Sequence, residues 1–233
     1  MNTMKNSRGF TLVEILFALA IGLVVIGAGY VAMISGQRSS VGIEQKVVAQ
    51  QDVRSTLEIM SMEIGMASFN PNFVTGIWIN PVGCAIPSAN QGYRGIQQAT
   101  LNTITVEMDI QESGIVADNP NEVIAYAYDI PNRRITRSTN CGNAEPILGR
   151  TVAAPGSVRV MNSDLNIPVF RYFNGVGTEI PGNPTVSAAE IPNIRRIDIT
   201  LAIETQDVDP NTRQPRTMVY SNSVIARNHA IAQ

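Results

Sequence analysis

The first third of the chain carries two successive hydrophobic patterns, and both predict helix. Residues 10–34 are almost entirely apolar, and Glu14 is the side chain there that is expected to carry a charge. As a helix this run would span roughly 37 Å, more than the roughly 30 Å hydrocarbon core of a bilayer. Residues 37–68 are amphipathic instead, with one apolar stripe. No proline separates the two patterns, so we expect one nearly continuous helix that ends at Asn70-Pro71. The stripe consists of Val53, Leu57, Met60, Ile64 and Ala67.

The rest of the chain shows patterns that are typical of strands. The clearest is the alternation of apolar and polar positions over residues 197–204. Residues 71–99 are rich in glycine, proline, asparagine and serine, which predicts a long connecting loop with a short strand near 76–80. Short polar connections between strands predict an antiparallel sheet, and the helix stripe would cover its apolar face. We therefore expect an α+β fold. The other predicted strands are 104–110, a hairpin of 123–129 and 134–138, then 169–173 and 217–226.

Composition narrows the function classes. The chain has 233 residues, a net charge of −2 and one histidine. Nucleic-acid binding usually shows as a strongly basic domain, so nucleic acid is not an expected partner. The sequence holds no phosphate loop, no zinc-ligand spacing and no Ser-His-Asp set in a helpful context. We therefore expect neither an enzyme nor a bound cofactor.

The apolar segment has three ordinary interpretations. A secretory signal peptide would have a shorter apolar region that a small-residue cleavage site closes. A simple signal anchor fits the length, and Lys5 and Arg8 before it favour a cytoplasmic N-terminus. It gives no reason, however, for a carboxylate inside the membrane, which costs up to about 3 kcal/mol at the centre. A buried helix of a soluble protein does not suit this length.

The stretch Arg8-Gly9-Phe10-Thr11-Leu12-Val13-Glu14 resembles the prepilin peptidase motif of type IV pilins and type II secretion pseudopilins. The resemblance implies cleavage between Gly9 and Phe10 by prepilin peptidase, followed by N-methylation of Phe10. It also implies that Glu14 pairs with the N-terminal amine of a neighbouring subunit. A buried carboxylate needs a cation or hydrogen-bond donors, and that amine would supply both.

This resemblance divides the chain into four parts. Residues 1–9 would be the leader peptide, 10–34 the transmembrane and filament-core helix, 35–69 an amphipathic helix on the head, and 70–233 a periplasmic β-rich head. The implied partners are prepilin peptidase, other pilins and minor pilins, the inner membrane and its assembly platform. The protein would begin as a single-pass inner-membrane protein and then enter a pilus or pseudopilus.

A second resemblance, to the PilW family of minor pilins, reaches into the head. It rests on residues 52–67, on 194–205 and on 223–228, with a looser fit over 152–173. Gly65 departs from it, since a basic residue is expected there. The resemblance implies a minor pilin of a priming or tip complex in type IV pilus assembly. The alternatives are a minor pseudopilin of a type II secretion system and a membrane-anchored DNA- or surface-binding protein.

The remaining candidate residues each have a structural alternative. Cys84 and Cys141 would form a disulfide in an oxidising periplasm, or else be two buried thiols. Asp207, Asp209 and Asn211 have the one-three-five spacing of calcium-loop oxygens, although the alternative, a solvated hairpin turn, is favoured. His229 is expected in an exposed tail. Seven arginines could form a basic strip, but an ion-paired sheet face is favoured; they are Arg133, Arg134, Arg137, Arg195, Arg196, Arg213 and Arg216.

Overall fold

The computed structural model describes residues 9–149, 158–210 and 212–230, and begins with one long helix. Helix α1 covers Leu12–Gly65, with Thr11 as its N-cap and Met66 as its C-cap. The prediction of one nearly continuous helix is confirmed. The helix ends five residues before Asn70, because the Met66 N–H already turns back to the carbonyls of Glu63 and Ile64.

The two halves of α1 have different surroundings. Large apolar side chains from Phe10 to Met33 are exposed, whereas the buried positions begin at Gly42. Over its most apolar 18-residue window the helix buries no residue, and it is long and apolar enough to cross a membrane. The second half packs its stripe against the strands, as predicted. Its buried positions are Gly42, Ala49, Val53, Thr56, Leu57, Met60 and Ile64.

The first sheet is an antiparallel meander in which neighbouring strands follow one another in sequence. The predicted hairpin of β3 and β4 is present, with Tyr128 opposite Ile135 in its register. Strands β1 and β5 were not predicted, since each is only four residues long and lacks an alternating pattern. The five strands are β1 Ile96–Ala99, β2 Thr103–Glu107, β3 Val123–Asp129, β4 Arg134–Thr139 and β5 Glu145–Leu148.

The second sheet has the strand order β10-β9-β7-β8, and β6 pairs with the last part of β9. The long β9–β10 hairpin lies where the alternation predicted it. The short β6 and β8 were not predicted, because two or three residues are too few to show a period. The strands are β6 Val158–Val160, β7 Phe170–Phe173, β8 Glu179–Ile180, β9 Arg196–Thr205 and β10 Thr217–Ile225.

The α+β prediction is confirmed, with helix α1 contacting β10, β9 and β5. The single sheet of the sequence prediction is wrong, since the strands form two sheets around one main core. The strand expected near 76–80 is reduced to an isolated bridge between Ile79 and Pro87. A smaller second core explains the difference, because Ile77, Trp78 and Ile79 are all buried in it, together with Val116 and Val123, instead of alternating between buried and exposed positions.

Three segments approach one another closely at the C-terminal end of α1: the residues after the helix, the start of β1 and the end of β2. The Ser68 N–H donates to the Glu107 carbonyl at 2.8 Å, and the Glu107 N–H donates to the Gly95 carbonyl at 2.7 Å. A Cβ at Gly95 would lie 2.3 Å from both the Glu107 oxygen and the Ser68 nitrogen. Glycine is therefore required here for the end of the helix to meet β1 and β2.

Candidate functional site at the N-terminus of the helix

Gly9 and Phe10 lie just before the helix in an accessible position. Phe10 is 85% exposed, and a Cβ placed on Gly9 would meet no atom within 4 Å. The peptide bond between them is thus outside the hydrogen-bonded helix, which begins at Leu12. A peptidase needs a segment that it can hold in an extended form, and this position meets that requirement. Cleavage at this bond stays a prediction.

Thr11 and Glu14 form a reciprocal capping box at the start of α1. The Thr11 hydroxyl accepts from the Glu14 N–H at 3.3 Å, and the Glu14 carboxylate accepts from the Thr11 N–H at 2.8 Å. The Thr11 hydroxyl also donates to the carboxylate at 2.9 Å. The box fixes the first residue of the helix, and the positive end of the helix dipole favours the carboxylate. A threonine followed three residues later by a glutamate is the local sequence signal for such a box.

The capping box supplies hydrogen-bond donors to the Glu14 carboxylate from within the chain. Within one chain, Glu14 already accepts hydrogen bonds from Thr11, so it is not a bare carboxylate in an apolar helix. Among the residues that the structure describes, which begin at Gly9, no cation pairs with its negative charge. The pairing with an amine from another subunit, which the sequence resemblance implies, stays a prediction about that charge.

The surface that follows the cap is apolar and open. The positions of Gly22, Gly27 and Gly29 have nothing within 4 Å of an added Cβ. Large exposed side chains such as Ile21, Val25 and Ile26 surround these glycines. Small residues allow membrane helices to approach one another closely, so this segment of the helix suits packing against other helices.

The candidate basic strip is broken up by carboxylates. Arg137 Nη2 lies 2.6 Å from Glu63 of α1, and the same carboxylate accepts from the Tyr126 hydroxyl. The Glu63 contact raises the pKa of Arg137. Arg195 turns to the carbonyls of Pro192 and Ile194. This is the ion-paired alternative of the sequence analysis. The other pairs are Arg133 with Asp164, Arg134 with Asp129, Arg196 with Asp198, and Arg216 with Asp209.

The calcium-like spacing falls on a structural ion pair. Asp209 is 2% exposed, its carboxylate pairs with Arg216, and a Cβ at Gly42 would lie 3.5 Å from one of its oxygens. The expectation of a solvated loop is therefore wrong for Asp209, because this residue anchors the β9–β10 loop against α1. Asn211 lies outside the described residues. Among those described, no three metal-ligating side chains come together.

The two cysteines meet at the second core. The structure joins Cys84 in the long loop to Cys141 just after β4, with their Cα atoms 5.7 Å apart. The loop segment that holds Trp78 is thereby held to the first sheet. The disulfide in the exported protein stays a prediction.

The titratable groups buried in the described part of the head include His229 and Glu107. His229 is fully buried, so the prediction of an exposed tail residue is wrong. Its burial lowers its pKa to about 4, and the nearby charges of Arg94 and Arg195 act in the same direction. Burial raises the pKa of Glu107 to about 8, although its Oε2 atom accepts from the Ile79 N–H at 3.0 Å. The contacts of His229 and Glu107 join residues that are far apart in sequence, so no local sequence pattern predicts them.

Comparison with known families agrees with the N-terminal geometry. A family model described as the prokaryotic N-terminal methylation motif matches residues 4–30, which include the accessible Gly9–Phe10 bond and the capped start of α1. The chain has no match among curated proteins or solved structures. The motif marks a pilin-like structural protein, and the α+β fold with its membrane-capable N-terminal helix is consistent with that class. More narrowly, the motif indicates the type IV pilin or pseudopilin type, which implies processing by prepilin peptidase and assembly with other pilins.

Proposed function

We propose that the chain is a minor pilin, of the PilW type, in the priming or tip complex of a type IV pilus. The observation that carries the proposal is the methylation motif at residues 4–30 on a helix whose apolar half projects free of the head. Prepilin peptidase cuts between Gly9 and Phe10, and the new amine of Phe10 is methylated. The leader is 1–9, the membrane and filament helix 10–34, the head-bound helix 35–69, and the periplasmic head 70–233.

The physical basis of assembly is the charge on Glu14. The capping box with Thr11 satisfies its hydrogen bonds but not its charge, and a charged group in hydrocarbon is costly without a partner. The amine that cleavage creates on a neighbouring subunit supplies that partner. Incorporation then depends on helices packing in register. A minor pseudopilin would use the same chemistry, and the neighbouring genes discriminate between the two systems.

The experiment has two arms. Mass spectrometry of the mature N-terminus, with and without prepilin peptidase, is expected to show methylated Phe10 only when the peptidase is present. In the second arm, E14Q is expected to be cut normally but to be depleted from sheared filaments. T11V is the matched control, because it removes the capping hydroxyl and keeps the charge.

Two results would contradict the proposal. A chain left uncut, or cut elsewhere in the apolar segment, would remove the prepilin assignment. Incorporation of E14Q at the level of the unaltered chain would remove the charge-pairing mechanism. Incorporation of T11V close to the unaltered level, with E14Q depleted, would assign the effect to the charge and not to the helix cap.

A further inference from the structure

Strand β10 forms a long open edge of the second sheet. Nine consecutive residue pairs join it to β9, from Thr217 with Glu204 to Ile225 with Arg196, without a shift in register. In the described part of the chain, residues 218–224 make backbone hydrogen bonds to no segment other than β9. The Ser223 N–H also reaches the adjacent Asn222 side chain. An antiparallel strand turns about half of its peptide groups away from its partner, so β10 presents a row of donors and acceptors that bond to no other strand among the described residues.

The other sheet edges among the described residues are short or interrupted. Strand β1 has a register shift, and its Ala99 carbonyl accepts from the Val186 N–H at 2.8 Å. Strand β5 has a register shift and contains Pro146, which has no N–H. Strand β8 is two residues long. These are the features by which proteins prevent pairing between sheet edges.

Strand β10 has none of those protections. Its sequence, TMVYSNSVI, contains no charged residue and no proline. Ser221, Asn222 and Ser223 are exposed in succession, so the middle of β10 is accessible to solvent. Val219 and Ile225 add exposed apolar side chains on the outer face. A long, regular and uncharged edge of this kind favours the addition of another strand.

The position of β10 indicates what adds to it. The Asn222 amide donates to the Ser61 hydroxyl of α1 at 2.7 Å, and a Cβ at Gly65 would lie 3.6 Å from Val224. The strand therefore runs beside α1 in the same direction, away from the apolar half of the helix. Under the proposed function, subunits associate with their helices side by side, so a neighbouring head would lie beside α1, where β10 also runs.

We propose that the edge of β10 accepts an extended strand from the head of a neighbouring pilin-type subunit. The backbone groups of residues 218–224 bond to the incoming strand, and its apolar side chains pack beside Val219 and Ile225. The proposal rests on the proposed function, since the occupant is another subunit of the same assembly.

The test places a photo-crosslinking amino acid at Ser221 of the full-length chain, expressed in its own host. The matched control carries the same amino acid at Val176, which is 86% exposed in the turn between β7 and β8. The expected product joins Ser221 to a strand peptide of a second protein that has its own methylated N-terminus. The T217K/V219K variant, which charges the edge, is expected to lose this product, whereas V82K/V176K is expected to keep it.

The outcomes separate this proposal from the assignment of function. Mass spectrometry of the same sample reports whether Gly9–Phe10 is cut; an uncut chain counts against the proposed function. A processed chain with no Ser221 product above the Val176 control overturns the edge proposal. So does a product that maps to a helix or loop of the second protein, or one that survives in T217K/V219K. If T217K/V219K unfolds the head, the crosslink made in the chain without these lysines still tests the proposal, because its peptide shows whether a strand lies at Ser221.

Discussion

The Nδ1 atom of His229 lies 2.7 Å from the Ser68 hydroxyl oxygen, across 161 residues of sequence. On the other side of the ring, Nε2 lies 2.8 Å from the Ile191 carbonyl oxygen. Because a carbonyl only accepts, Nε2 carries the proton in the neutral ring and Nδ1 accepts from Ser68. The Ser68 oxygen accepts in turn from the Gly95 N–H at 3.0 Å. The C-terminal segment, the exit of α1 and the start of β1 are thus joined at one buried point.

This arrangement predicts a loss of stability in acid. Burial lowers the pKa of His229 from 6.5 to about 4, so between these values the unfolded chain takes up a proton that the folded chain does not. The contribution of the neutral ring is present above pH 6.5 and is lost as pH falls towards 4. H229Q is expected to cost about 1–3 kcal/mol at pH 7 through weakened hydrogen bonds and packing. Urea unfolding of the full chain in detergent should show this difference shrinking as pH falls, and a difference independent of pH would contradict the prediction.

The buried carboxyl of Glu107 predicts the opposite dependence of folding stability on pH. Its folded pKa of about 8 lies above the ordinary 4.5, so the folded chain holds a proton that the unfolded chain has released between these values. Stability is lost as pH rises through this range. E107Q keeps an acceptor for the Ile79 N–H and removes the ionisation, so it should be more stable than the unaltered chain by at least about 1 kcal/mol at pH 8.

The matched control for Glu107 is E112Q, an exposed glutamate on the following turn. Chemical unfolding at pH 5 and pH 8 measures both variants. The advantage of E107Q should be small at pH 5 and large at pH 8, while E112Q should differ little from the unaltered chain at either pH. Equal behaviour of the two variants would show that the buried carboxyl is not held protonated.

Long periodic segments of this fold were predictable, and its short or non-local parts were not. The alternation from Ile197 to Ile203 places those side chains on the buried face of β9, as they are found. The same reasoning fails for β8, where two residues cannot show a period. It also fails for the division into two sheets, because pairing partners such as β6 and β9 lie far apart in sequence.

The candidate site was more predictable than the head, because its signals are local. The charges before the apolar run, the length of that run and Glu14 all lie within the first 34 residues. The Thr11–Glu14 capping box also has a local signal, a threonine followed three residues later by a glutamate. In contrast, the burial of His229 depends on Ser68 and Ile191, and no pattern near residue 229 indicates either contact.

Glu63 connects helix α1 to the first sheet, and its pairing with Arg137 predicts an energetic coupling. Arg137 Nε and Nη2 lie 3.0 and 2.6 Å from the two carboxylate oxygens, and both side chains are mostly buried. R137M leaves a carboxylate without its cation and should cost about 2 kcal/mol. E63M/R137M should lose less than the sum of the two single variants, because no charge is then left unpaired.

The exposed pair of Arg171 and Glu179 is the control for that measurement. Its side chains are 44% and 45% exposed, so a double-mutant cycle there should give less than about 1 kcal/mol of coupling. Thermal or urea unfolding of the four variants in each cycle provides the values. A coupling at Glu63–Arg137 no larger than at Arg171–Glu179 would mean that this ion pair holds the helix to the head no more strongly than an exposed pair would.

The disulfide between Cys84 and Cys141 predicts a contribution to the free energy of unfolding. The two residues are 57 positions apart, and closing a loop of this length stabilises by about 4 kcal/mol in the chain-entropy model. Denatured, unreduced protein from exported material should show no thiol that reacts with an alkylating agent. C84S/C141S should unfold at a lower urea concentration, and C84S alone should match it, because either change removes the same bond. Two alkylatable thiols in the unreduced protein would instead show that the second core around Trp78 holds the loop without a covalent link.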